Sequence, residues 1–119
     1  MSKLKVLFHV NEPERWDVAL GNVTNLIKDV GADAVDAVML ANGPSVLAYG
    51  EADRLKTMEA LSAQGVKFLA CRNSLKKMCA GGGNVCISEE RISPFITVIP
   101  AGITELIRRQ ADGYAYVKP

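Results

Sequence analysis

Five short apolar runs recur along this chain, each followed or separated by a segment with helical spacing, and that alternation constrains the fold more than any other feature. The runs are Leu4–Val10, Val35–Leu40, Val66–Ala70, Phe95–Ile99 and the closing "YAYVK". They are apolar almost throughout instead of alternating apolar and polar, which is the pattern of strands buried on both faces. Strands of that kind, joined by helical crossovers, predict an α/β fold: a largely parallel sheet with helices on its faces. With 119 residues and no linker long enough to divide them, residues 1–119 read as a single domain.

The intervening segments carry their own punctuation. In "NEPERWDVALGNVTNLIKDVG", Asn11 and Glu14 have capping-box spacing and Pro13 stands in the first turn. Trp16, Leu20, Val23, Ile27 and Val30 then form one apolar stripe, and Gly31 stops the helix. "ANGPS" reads as a turn. "EADRLKTMEALSAQG" is the next helix, with Leu55, Met58 and Leu61 inward and Gly65 at its end. Ser74–Cys79 reads as a short helix capped by Asn73 or Ser74, and Gly102–Gln110 as the last, with Ile103, Leu106 and Ile107 inward. "AGGGNVCISEERIS" is the least regular stretch. Its three glycines lack the Lys-Ser/Thr pair of a phosphate-binding loop, since Asn84 and Val85 follow them.

Composition narrows the function. The formal net charge is +1, which removes the general electrostatic case for nucleic acid. No apolar stretch approaches the length of a membrane span, and the start resembles a strand more than a signal peptide. Three cysteines without a CxxC pair fit a reducing compartment, the cytoplasm. One histidine and scattered cysteines give no zinc-ligand spacing, so no metal is expected. No nucleophile elbow, paired catalytic carboxylates or dinucleotide glycine motif is present, and no cofactor is implied.

Parallel sheets bind ligands beyond the carboxyl ends of their strands. The residues leaving those ends are His9 and Asn11, Asn42 and Gly43, then Cys71, Arg72 and Asn73, then Pro100 to Gly102. Cys71 stands between a strand end and a helix start, where unpaired amide N–H groups and the helix dipole favour an anion, with Arg72 as a neighbouring cation. A free cysteine also packs well as a small apolar residue, so both readings stay open on spacing alone. Cys79 and Cys86 read as structural, or as resolving thiols if the glycine loop approaches Cys71. His9 is the one side chain whose ordinary pKa suits proton transfer near neutrality, although a third strand can separate it from Cys71. Asn11 and Asn42 can serve a ligand or simply cap and turn the chain.

"KVLFHVNEPERWDVALGNVTNLIKDVG", "GVKFLACRNSL" and "VIPAGITELIRRQADGYAYVKP" together resemble the DsrE/DsrF-like family of small sulfur-relay proteins, in its short stand-alone form. The resemblance implies a three-layer α/β/α sandwich with a parallel five-stranded sheet ordered 4-3-2-1-5. It also implies a homo-oligomer, trimer or hexamer, with sulfur donor and acceptor proteins as partners. Some members hold a persulfide on an active cysteine, and the matching position is Cys71. His9, Asn11, Asn42, Gly43, Arg72 and Asn73 would then shape the substrate pocket. The competing expectation is a non-enzymatic oligomeric binding module with a structural cysteine.

Overall fold

The computed structural model describes residues 3–80 and 87–119. Within them lie β1 (Leu4–Val10), α1 (Trp16–Val30), β2 (Val35–Ala41), α2 (Ala52–Ala63), β3 (Lys67–Cys71), α3 (Arg72–Ala80), β4 (Ile96–Ile99), α4 (Gly102–Ala111) and β5 (Ala115–Val117). All strand pairs are parallel, in the order β4-β3-β2-β1-β5. That is the α/β arrangement anticipated from the alternation and from the family resemblance. The expectation of a mobile glycine loop at Gly81–Gly83, and any role for Cys86, fall outside the described residues.

Period-two alternation divides the strands between two cores. Val6, Phe8, Val10, Ala37, Met39, Ala41, Phe68 and Ala70 face Trp16, Leu20 and Val23 of α1 and Met58 and Leu61 of α2. The indole of Trp16 lies 5.5 Å from the Tyr49 ring and 6.4 Å from that of Phe68, so aromatic contact supplements the buried area. Leu7, Val38, Leu40 and Leu69 face the opposite way, toward Leu106 of α4 and Tyr114. His9, Asn42 and Cys71 continue the alternation of this second set, which places them under α4 at the carboxyl edge.

The α4 stripe differs from the one read in the sequence. Ile103 and Ile107 are 64% and 61% exposed, while Gly102 and Leu106 are buried and Glu105 and Arg109 half-buried. Polar anchoring sets this rotation. Arg109 bonds Glu105 at 2.7 Å and the Tyr114 hydroxyl at 3.1 Å, and that hydroxyl donates to Asp36 at 2.7 Å. Burial acts to raise the Asp36 pKa, but the Tyr114 hydroxyl and Lys67 outweigh it and hold the carboxyl below its usual range. The small side of Gly102 completes the fit, because an added Cβ would meet Asn42, Leu40 and Cys71 at 3.4–3.5 Å.

The capping box at Asn11 and Glu14 does not form. Pro13–Arg15 makes a 3-10 turn, no side chain caps it, and α1 starts at Trp16. The Asn11 carbonyl instead accepts the Ser45 N–H at 3.1 Å. Ser45 is fully buried, its hydroxyl donates to the Val10 carbonyl, and its own carbonyl accepts the Trp16 indole N–H at 2.9 Å. One residue thus ties the ends of β1 and β2 to α1. Ser45→Ala should cost about 1 kcal/mol in urea unfolding, because it removes a buried hydroxyl hydrogen bond while the backbone bonds of residue 45 remain.

Candidate functional site

Cys71 ends β3 and immediately precedes α3, so its side chain occupies the place of a helix cap. The Ser74 hydroxyl and the backbone N–H groups of Ser74 and Asn73, in the first turn of α3, act to lower the pKa of the Cys71 thiol. From the other side, the N–H of Gly102, the first residue of α4, donates to Sγ at 3.3 Å. Two helix N-termini therefore converge on one sulfur atom, each presenting unpaired donors and the positive end of its dipole. Cys71 is only 5% exposed. Burial alone pushes the thiol pKa up, yet the Ser74 hydroxyl and the three amides outweigh it and leave the pKa below the ordinary thiol value. Cys71 is also a free cysteine, not a disulfide partner.

The other residues anticipated at this edge divide into those that reach the sulfur and those that do not. Gly43 reaches it indirectly: its N–H donates to the Ser74 hydroxyl oxygen at 2.7 Å. Asn73 contributes its backbone, while its side chain is exposed. Arg72 does not serve as the neighbouring cation. Its guanidinium forks onto Glu89 at 2.8 and 3.1 Å, and no side-chain cation figures among the groups that set the ionisation of Cys71.

His9 and Cys71 do not form a nucleophile–base pair. β2 runs between their strands, and two strand spacings of about 4.8 Å keep the backbones roughly 10 Å apart. The imidazole is engaged elsewhere. Its Nε2 lies 2.8 Å from Oδ1 of Asn42 and its Nδ1 lies 2.6 Å from the Tyr116 hydroxyl. Because Oδ1 only accepts, Nε2 carries the proton and Nδ1 accepts from the tyrosine. Asn11 lines a cavity of about 260 Å³ with His9, Glu12, Arg15 and Lys118, away from the sulfur. Cys79 is half-buried on α3, with its sulfur 3.6 Å from the Ile87 carbonyl oxygen.

Three contributors were not singled out from the sequence. The role of Ser74 was readable only as a helix cap, and Tyr116 only as a strand residue. Gly102 was placed at the correct edge, but nothing in its spacing marks its amide as a donor to a cysteine 31 residues earlier.

The model of the DsrE/DsrF-like family matches residues 34–119, a span that includes Asn42, Cys71, Ser74 and Gly102 but begins after β1 and α1. Among solved structures, the chain is similar to the protein of unknown function MTH1491 from Methanobacterium thermoautotrophicum. The two share 27% identity and a TM-score of 0.82, over 98% of this chain and 100% of that one. No curated protein matches the chain.

The lowered thiol pKa carries a stability signature. A thiol more acidic when folded than when unfolded stabilises the fold fully above the unfolded value, about 8.5, and that contribution disappears as pH falls through the folded value. Native protein should therefore gain stability over Cys71→Ala as pH is raised toward 9 or so. Urea unfolding of both across that window measures the difference; equal dependence on pH would contradict the assignment.

Proposed function

The chain belongs to the DsrE/DsrF-like family, and from that membership and the setting of Cys71 we propose that it is a sulfur-relay protein carrying sulfane sulfur as a persulfide. The convergence of α3 and α4 on a free, acidified thiol is the observation that supports this reading most directly. In the loading step the Cys71 thiolate attacks the outer sulfur of a donor persulfide. A new S–S bond forms to Sγ as the donor's S–S bond breaks, and the donor's inner sulfur leaves as a thiolate with the electron pair. The proton on the outer sulfur stays there, and no net oxidation occurs. Unloading is the same displacement by an acceptor thiolate, which returns Cys71 to its anion. Amides of Asn73, Ser74 and Gly102 hold the negative charge at both ends of the cycle.

His9, Asn42 and Tyr116 keep the neighbouring turn in place in this scheme, and Asn11 shapes the adjoining cavity. A reducing compartment such as the cytoplasm suits a working thiol. The relay function calls for sulfur donor and acceptor proteins. Self-assembly, which the family resemblance implies, is consistent with the two isoleucines left exposed on α4. No helix among the described residues is long and apolar enough to cross a membrane.

The near-complete burial of Cys71 favours a second reading, an oligomeric binding module in which the cysteine packs the edge. Intact mass distinguishes the two. After incubation with a sulfane-sulfur donor, native protein should become one sulfur atom heavier and Cys71→Ser should not. No gain on native protein, or an equal gain on the variant, would remove the carrier reading. For the assembly, Ile103→Lys with Ile107→Lys should sediment as a smaller species than the native protein; unchanged sedimentation would place the contact elsewhere.

A further inference from the structure

Strand register assembles a polar cluster at the carboxyl edge that the sulfur chemistry does not use. Leu40 of β2 pairs with His9, and Tyr116 of β5 pairs with Leu7. Side chains two residues apart share a face, so Asn42 and Tyr116 flank His9 diagonally from either side. The imidazole is engaged at both nitrogens: Nε2–H donates to Asn42 Oδ1 at 2.8 Å, and Nδ1 accepts the Tyr116 hydroxyl at 2.6 Å. The Asn42 oxygen thereby fixes the tautomer whose Nδ1 keeps a lone pair, and that lone pair holds the phenolic proton.

An oxygen nucleophile within hydrogen-bond reach of an imidazole, with a third group orienting that imidazole, is the constellation that serves acyl transfer. Tyr116 also has the access a nucleophile needs. It is 42% exposed, whereas Tyr49 and Tyr114 are 2% and 8% exposed and donate their hydroxyl protons to the Leu69 carbonyl and Asp36. We propose that Tyr116 is a second nucleophile of this protein, an acyl acceptor with His9 as its general base and Asn42 as the group that orients the base. The Tyr116 oxygen attacks the carbonyl carbon of an activated acyl donor as its proton passes to Nδ1 of His9. A C–O bond forms to the tyrosine and the donor's bond to its leaving group breaks. The leaving group departs with that electron pair and takes the proton from the imidazolium. Nothing is oxidised or reduced, and the product is an O-acyl tyrosine. Cys71 takes no part, so this activity stands independently of the carrier reading.

N-acetylimidazole is the probe, with mass spectrometry resolving acetylation at each of the three tyrosines. At neutral pH Tyr116 should acetylate about a hundredfold faster than the tyrosine of a free peptide, the gain expected of a positioned general base. His9→Gln should return Tyr116 to the peptide rate, because a glutamine amide is no base. Asn42→Ala should slow the reaction severalfold, and Asn42→Asp, which keeps an accepting oxygen, should restore it. Should His9→Gln not fold, the pH dependence of native protein decides. The Tyr116 rate should fall in step with protonation of the His9 ring, followed by NMR in the same samples. A rate at Tyr116 no faster than the peptide's, or one indifferent to His9 replacement or protonation, would overturn the proposal. Equal rates in Asn42→Ala and native protein would remove Asn42 from it.

Discussion

Parallel pairing is the constraint from which the rest of this structure follows. When every strand runs the same way, every helix that follows a strand begins at the same edge of the sheet. α3 starts where β3 stops, and α4 starts just beyond β4. The register pairs Cys71 with Ile99, so the two helix starts lie side by side across one strand spacing. An antiparallel β4 would have sent α4 to the opposite edge and removed the Gly102 N–H from the sulfur. The meeting of two helix starts at Cys71 is thus a consequence of topology before it is a matter of individual residues.

The pairing needs the two cores that hold it. One is deep, with Trp16, Tyr49 and Phe68 packed among aliphatic side chains, and it fixes α1 and α2. The other is small and relies on Leu106 together with the chain of polar contacts from Glu105 to Asp36. The thinly covered second face carries the polar side chains His9 and Asn42 at its edge, beside Cys71.

Much of this was legible in the amino-acid sequence because it depends on periodicity and punctuation. Leu4–Val10 is the strand its apolar run predicted, and Gly31 and Gly65 end their helices with φ of +91° and +102°. The placement of Cys71 at the end of a strand, just before a helix, was readable in the same way. What was not legible depends on long-range fit. The rotation of α4, which exposes Ile103 and Ile107, is set by a tyrosine and an aspartate far apart in the chain. The capping box does not form because Pro13–Arg15 makes a 3-10 turn and α1 begins only at Trp16, beyond Glu14. Arg72 was expected beside the sulfur as its sequence neighbour, but Glu89 supplies a closer and bidentate partner.

The engagement of Arg72 with Glu89 has a consequence for how the thiolate responds to its surroundings. The groups that lower the Cys71 pKa are the Ser74 hydroxyl and the amides of Ser74, Gly102 and Asn73, none of them a charged side chain. Dissolved ions weaken attractions between separate charges over a screening length of about 8 Å, but here they find no counterion to compete with. What lowers the acidity threshold of the sulfur is in that sense built into the turn and helix starts around it, not borrowed from a surface cation.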